Sequence, residues 1–220
     1  GDIEAYNGML LAGVGYTGIQ ACTRSTMKLR FLAGLATVVA RANGRDKTPR
    51  FQAGIGEVVA LVNTAEGIRS GSLAEAMQRI QAVAEGKQMV MGDGVGTPKF
   101  QGGAAYAALN FFFPYAATKA VDVLRMAAGS GVLAMSAADY ANPDVGPLLD
   151  RWLIGPNIDA KHRLQIMKLA WDMTGTEFGS RAGLYERLYS GDPERNAQQW
   201  FMSPITQECE ALVRHLLADQ

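Results

Sequence analysis

The chain has 220 residues, 48% of them hydrophobic, with 21 basic and 21 acidic side chains and a formal net charge of zero. That length can bury one sizeable core, and the charge balance leaves no basic field to hold a nucleic-acid backbone. No apolar run approaches the roughly 18 residues a membrane span needs, and no charged-then-apolar leader opens the chain, so a cytoplasmic protein with neither membrane nor nucleic-acid partners is expected. Cys22 and Cys209 stand far apart and are expected to be reduced thiols in a helical interior. With only His162 and His215, a histidine zinc site or a di-iron bundle lacks its ligands, so no metal is expected. No Ser-His-Asp triad announces itself, and His162, between Lys161 and Arg163, reads as solvated.

From Ile3 to about Ala42 the pattern is that of one or two long helices, with Met27, Phe31, Leu35, Val38 and Ala42 spaced as the seam of a bundle helix. Gly13, Gly15 and Gly18 predict a loop or a close helix crossing early in it. Arg24 and Lys28, one turn apart, either clasp an anion or form a solvated face. A polar turn over Asn43–Pro49 leads to a second helix carrying Phe51, Ile55, Val58, Val62 and Ala65 inward, with Glu57 and Glu66 outward. Gly71 is expected to end it, and Ser72 with Glu75 reads as a capping box for a third, with Met77, Ile80 and Ala84 inward. The stretch GDGVGTPKFQGG, residues 92–103, has no strand before it and no βαβ unit around it, so it reads as a flexible connection and not a Rossmann phosphate loop.

Tyr106 to Tyr115 is helical and aromatic, with Pro114 predicted to kink or restart the helix. Ala117, Val121, Leu124 and Ala128 continue an inward stripe up to Gly129-Ser130-Gly131, whose plainest reading is a helix C-cap. Pro143, Gly146 and Pro147 predict a loop over 139–150, with a short helix near Leu148–Leu153. Asp159 caps a helix whose Leu164, Met167, Trp171 and Thr174 recur at helical spacing. GTEFGSR, residues 175–181, interrupts the period before Leu184 and Leu188 resume it. Glycines at 175 and 179 permit a sharp turn or a close approach to a ligand, and Ser180 is a plausible cap for the following helix, whose positive end suits a phosphate. The same spacing also serves an ordinary helix–turn–helix. Asp192-Pro193 and Ser203-Pro204 start two more helices, the last with Ile205, Cys209, Leu212 and Leu216 on one face, which we expect another subunit to cover. Almost nothing alternates at period two. The expected fold is all-α: an up-and-down bundle of four or more long helices over residues 1–190, with a C-terminal helical arm over 191–220 for oligomerisation.

The stretch LAWDMTGTEFGSRAGLYERLYSGDPERN, residues 169–196, resembles the carboxyl-terminal signature of the 4-hydroxyphenylacetate 3-hydroxylase family of flavin-dependent monooxygenases. QACTRSTMKLRFLAGLA resembles that family's first bundle helix, departing from it where Ile19 stands in place of an expected His. LRMAAGSGVLAMSAADY resembles the family's helix end that reaches toward the flavin, and the related acyl-CoA dehydrogenases share such a glycine turn. The resemblance implies an acyl-CoA dehydrogenase-like bundle, with an apparent insertion between Gly67 and Gly103. It also implies a two-component hydroxylation ortho to a phenol hydroxyl, using FAD reduced by a separate flavin reductase, and a homo-oligomer, either dimer or tetramer. It places Gly175, Thr176, Glu177 and Phe178 nearest the FAD, and Gly129, Ser130, Gly131 and Arg24 as a second set, for the FAD of a neighbouring subunit. Family members carry a helical domain and a β-barrel ahead of this bundle, and their catalytic residues lie there, so none carries over. Two alternatives are a lyase resembling 4-hydroxybutyryl-CoA dehydratase, built on the same bundle, and a non-catalytic helical assembly module.

Overall fold

The computed structural model describes residues 1–85, 104–133, 136–189 and 191–218, so the glycine-rich stretch at 92–103 lies outside the described residues. The described residues form an all-α structure: α1 (Ile3–Ala42), α2 (Pro49–Ala84), α3 (Ala104–Ala128), a 3-10 turn (Gly129–Leu133), α4 (Ala137–Ala141), α5 (Gly146–Trp152), α6 (Ala160–Thr174), α7 (Glu177–Leu188), α8 (Pro193–Phe201) and α9 (Pro204–Ala218). Among these, no helix is long and apolar enough to cross a membrane. Two compact units divide the chain: Gly1–Thr26, Thr64–Pro114 and Ser190–Gln220 form one, and Met27–Asn63 with Tyr115–Tyr189 the other.

In the first unit, helices cross closely. Gly18 does not interrupt α1; a Cβ built there would lie 3.2 Å from the Tyr106 Cβ, so the glycine serves a close crossing inside an unbroken helix. Gly71 likewise sits within a continuous α2, and no third helix starts at Ser72. Ser72 is buried against Cys22, while the Glu75 carboxylate accepts from the Ala105 amide at 3.2 Å and so caps the start of α3 instead of its own helix. Cys22 is buried and burial pushes its thiol up, whereas Cys209 is exposed, against the expectation of an interior position. Pro114 is absorbed within α3, which continues through it.

Burial also pushes the Glu75 carboxyl above its usual range, with the Ala105 hydrogen bond opposing it in part. A carboxyl raised in the folded state binds its proton more tightly than in the unfolded chain. Stability therefore falls as pH rises from the unfolded to the folded value, and the deficit persists above that window. Glu75→Gln keeps an oxygen for Ala105 and removes the buried charge. It should raise the melting temperature at pH 7 by about 2 °C and leave it unchanged near pH 3. A loss at pH 7 would mean that the charged cap outweighs its desolvation.

Ser25 is fully buried in the same unit and its hydroxyl has no partner among the described residues. A stranded hydroxyl costs about 1–3 kcal/mol of lost hydration, and alanine is the better helix former. Ser25→Ala should thus stabilise the chain by about 1 kcal/mol, read as a higher urea midpoint at an unchanged slope; a lowered midpoint would reveal a hydrogen bond that Ser25 keeps in solution.

In the second unit, Leu29, Leu32, Val39, Val58, Leu124 and Met167 make the core. The inward face of α1 differs from the predicted seam: Leu35 and Ala42 are buried, but Met27, Phe31 and Val38 are 54%, 43% and 43% exposed. Both faces of this helix are apolar, so periodicity alone could not choose between them. In α2, Val58, Val62 and Ala65 are buried as predicted, while Met77 and Ile80 turn outward. The ends of three helices are tied by side chains. Asn43 donates through Nδ2 to the Ala127 carbonyl at 3.0 Å, and Arg163 donates to Asn43 Oδ1 at 2.9 Å and to the carbonyls of Leu153 and Ile154. This clamp fixes the end of α3, and with it the Gly129 turn.

Candidate functional site

The second unit carries the hinge between α6 and α7. Asp159 caps α6 by accepting from the His162 amide, and its carboxylate also meets the exposed His162 ring at 2.6 Å, so His162 is a surface residue bound to its own cap. Hydrogen bonding to His162 holds the Asp159 carboxyl below its usual range. At the other end of α6 the Trp171 carbonyl accepts from both Gly175 and Thr176, closing the helix. Gly175 has φ −134°, which other residues can adopt. What demands glycine there is space, because a Cβ would sit inside the Trp171 ring.

The cap of α7 is Thr176, not Ser180. Its hydroxyl accepts from the Gly179 amide at 3.1 Å and donates to the Asp172 carbonyl at 2.9 Å, while Ser180 lies a turn into the helix. The amides of Glu177 and Phe178 begin α7 without a partner among the described residues. Beside them the Glu177 side chain is exposed and the Phe178 ring is 67% exposed. The hinge therefore offers two open donors, one acceptor-only carboxylate and a flat apolar face at the positive end of a helix.

Next to the hinge lies a groove of about 310 Å³, reached by Met173, Gly179 and Ser180 on the hinge side and by Leu32, Ala117 and Val121 on its floor. Lys28, Arg125, Arg187 and Glu186 supply its charge. Lys28 meets Glu186 at 2.6 Å with the carboxylate only 5% exposed, so the suggested Arg24/Lys28 anion clasp does not form: Lys28 already holds a carboxylate, and Arg24 lies over the Phe113 ring in the other unit. Arg125 donates to the Thr174 carbonyl at 3.0 Å and ties α3 to the residue before the hinge.

Gly129 has φ +58° and ends α3 in the left-handed conformation, the glycine C-cap expected from its spacing. A Cβ at Gly129 would lie 3.1 Å from the Arg45 guanidinium, and one at Gly131 would lie 3.6 Å from the Met167 sulfur. Gly129, Ser130 and Gly131 thus sit beside the middle of α6, about two helical turns before Gly175, or roughly 12 Å along the axis. The hinge residues 175–178 are consecutive in the chain, whereas the 129–131 turn is a separate feature of the same unit.

Periodicity missed the groove because the inward face of α7 is Gly179, Ala182 and Glu186, with Leu184 and Leu188 exposed at 59% and 52%. Small and charged residues at helical spacing carry no hydrophobic signal. The pairing of Lys28 with a residue 158 positions away had no local signal at all.

The profile of the 4-hydroxyphenylacetate 3-hydroxylase C-terminal family matches residues 10–218. The oxygenase component of a 4-nitrophenol 2-monooxygenase from Rhodococcus sp. is 31% identical over 88% of this chain and 35% of its own length. That of a 4-hydroxyphenylacetate 3-monooxygenase from Thermus thermophilus is 29% identical over 90% of this chain and 38% of its own. The chain thus spans about a third of the length of these curated relatives. The solved structure of a 4-hydroxyphenylacetate 3-monooxygenase oxygenase component, complexed with FAD and 4-hydroxyphenylacetate, superposes with a TM-score of 0.71 at 23% identity, covering 91% of this chain and 40% of that one. An archaeal 4-hydroxybutyryl-CoA dehydratase from N. maritimus gives 0.62 at 22% identity over 91% and 39%. At these identities the structures speak to the fold, and that fold is the helical bundle of the acyl-CoA dehydrogenase type. The family profile extends from the first turns of α1 to the end of α9, and the chain belongs to the 4-hydroxyphenylacetate 3-hydroxylase C-terminal family.

Proposed function

We propose that the chain is the FAD-binding and oligomerisation domain of a reduced-flavin-dependent phenol ortho-hydroxylase of the 4-hydroxyphenylacetate 3-monooxygenase type, served by a separate flavin reductase. The supporting observation is the hinge at 175–178, where two amides without a partner among the described residues stand beside the exposed Glu177 carboxylate and Phe178 ring. Those groups fit a flavin nucleotide. The amides of Glu177 and Phe178 suit its acceptor or anionic groups, the Glu177 carboxylate suits an N–H or O–H, and the Phe178 ring suits a flat edge. Gly175 to Phe178 would hold the cofactor, with Gly129, Ser130, Gly131 and Arg24 as a second set. Bound reduced FAD supplies the oxygen-activating chemistry, and the chain supplies position and shelter from water. Arg125 and the Thr176 cap hold the hinge backbone in place for that purpose.

On this reading the phenolic substrate is held by other polypeptide and the 220 residues alone are inactive. Residues 191–220 form the oligomerisation arm of a cytoplasmic dimer or tetramer. Phe201, Met202, Leu212 and Leu216 on α8 and α9 are 75%, 71%, 64% and 61% exposed, an apolar surface suited to a second subunit. The dehydratase-type lyase is the second reading, favoured by the shared fold.

The hinge is tested by titrating the chain with FAD and following flavin fluorescence. The double variant Thr176→Ala/Glu177→Ala should bind about tenfold more weakly, roughly 1.4 kcal/mol, with its helical circular dichroism intact. Equal affinity would remove the hinge from the cofactor site, and no FAD binding by the parent chain would favour the assembly-module alternative.

A further inference from the structure

We infer that the hollow between the α1–α2 turn and the loop after α5 binds an aliphatic α-amino acid, at a site apart from the hinge and independent of the flavin reading. The hollow measures about 470 Å³, within the range of small-molecule pockets. Its apolar bed is aliphatic: Pro156, Ile158 and Ile166, with Val38, which α1 leaves 43% exposed. Both walls are fixed by close contacts. Gly44 takes φ +66°, and a Cβ there would lie 2.9 Å from Pro156 Cγ, so the turn rests directly on the loop. On the loop side, a Cβ at Gly155 would lie 2.5 Å from the Ala42 carbonyl oxygen, and the Gly155 amide donates to the Ile158 carbonyl at 2.9 Å. A site held in this way is formed before its ligand arrives and loses little affinity to ordering.

The charged residues here are of two kinds. Arg45 and Arg163 serve the fold: Arg45 lies 5.5 Å from the Phe51 ring centre and donates to the Met126 carbonyl at 3.4 Å, while Arg163 holds Asn43 and the Leu153 carbonyl. Arg41, Asp46 and Lys47 line the hollow and have neither an ion pair nor a side-chain hydrogen bond among the described residues. Two cations and one carboxylate are thus left to water around an aliphatic bed. That set suits neither a plain anion, which Asp46 repels, nor a plain amine, which Arg41 and Lys47 repel. It suits a zwitterion. An α-carboxylate pairs with the Arg41 guanidinium and the Lys47 ammonium, and an α-ammonium pairs with Asp46 and the amide oxygen of Asn157, which also lines the hollow. The hydrocarbon side chain then covers Ile158 and Ile166. Asp159, farther along the loop, does not compete for the ammonium, because its carboxylate is held by His162.

Calorimetric titration of the 220-residue chain with L-leucine tests this against three parts of the same molecule. Glycine lacks the hydrocarbon, 4-methylpentanoate lacks the amine, and 3-methylbutylamine lacks the carboxylate. Leucine should bind about tenfold more tightly than each, or better. Asp46→Asn should weaken leucine about tenfold while 4-methylpentanoate binds no worse, and Arg41→Gln/Lys47→Gln should weaken leucine as much while 3-methylbutylamine binds no worse. Since these side chains hold no structural partner, both variants should melt within about 2 °C of the parent. Thr176→Ala/Glu177→Ala should bind leucine as the parent does, so failure here is distinguishable from failure of the hinge assignment. An amino-acid site is ruled out if leucine does not bind, if any of the three parts matches it, or if either charge variant binds it as the parent does.

Discussion

Gly179→Ala should destabilise the chain by about 3 kcal/mol, lowering its melting temperature by about 10 °C. A Cβ at this position would lie 2.6 Å from the Asp172 carbonyl oxygen and 2.8 Å from the Met173 carbonyl carbon. Both are backbone atoms at the end of α6, so no rotamer change relieves the clash and the two helices must separate. Separation also costs the cap, because the Gly179 amide is the donor that Thr176 accepts. Gly175→Ala is the informative contrast. Its added methyl overlaps the Trp171 ring, but that neighbour is a side chain that can rotate away rather than backbone, so its loss should be smaller. The measurement is paired thermal unfolding of the two variants. Equal melting of Gly179→Ala and the parent would mean that α6 and α7 do not approach at this point in solution.

That contrast shows how much of the hinge was legible beforehand. Its position and its two glycines were readable from the break in period between Thr174 and Leu184, and Asp159 and Asp192 were readable as caps because the oxygen, the spacing and the following helix are all local. The reason for the glycines was not readable. Neither takes a left-handed conformation; one makes room for an indole and the other for a passing backbone, and both neighbours come from the preceding helix. The same limit explains Ser72 and Glu75, whose spacing forms a local capping box on paper while the carboxylate caps a helix 30 residues later. Met27, Phe31 and Val38 were read inward because they are apolar at helical period, yet the competing face of Leu29, Leu32 and Val39 is apolar too. Sequence periodicity finds a helix and its amphipathic axis where there is only one; it cannot rank two apolar faces or see a face made of glycine, alanine and a paired glutamate.

The face built on a paired glutamate leads to the second large effect. Lys28→Met should cost about 2–3 kcal/mol, whereas Glu186→Gln should cost less and Lys28→Met/Glu186→Leu should come close to the parent. Glu186 is 5% exposed and its carboxylate sits 2.6 Å from the ammonium. Breaking a buried pair by removing one partner typically costs about 3–5 kcal/mol, because the remaining charge loses part of its compensation. Lys28 is 24% exposed, which admits some water and sets the lower figure used here. The two single variants are not equivalent: Lys28 can extend its flexible stem toward solvent, whereas Glu186 stays fixed on the inward face of α7. Replacing both by apolar residues removes both desolvation costs at once, so a double-mutant cycle from urea unfolding should return a coupling of about 2 kcal/mol. High salt should leave the coupling largely intact, since screening acts weakly on a pair sheltered from ions. A Lys28→Met variant within about 0.5 kcal/mol of the parent would place Glu186 in water, and the groove wall it forms with Lys28 would then not exist in solution.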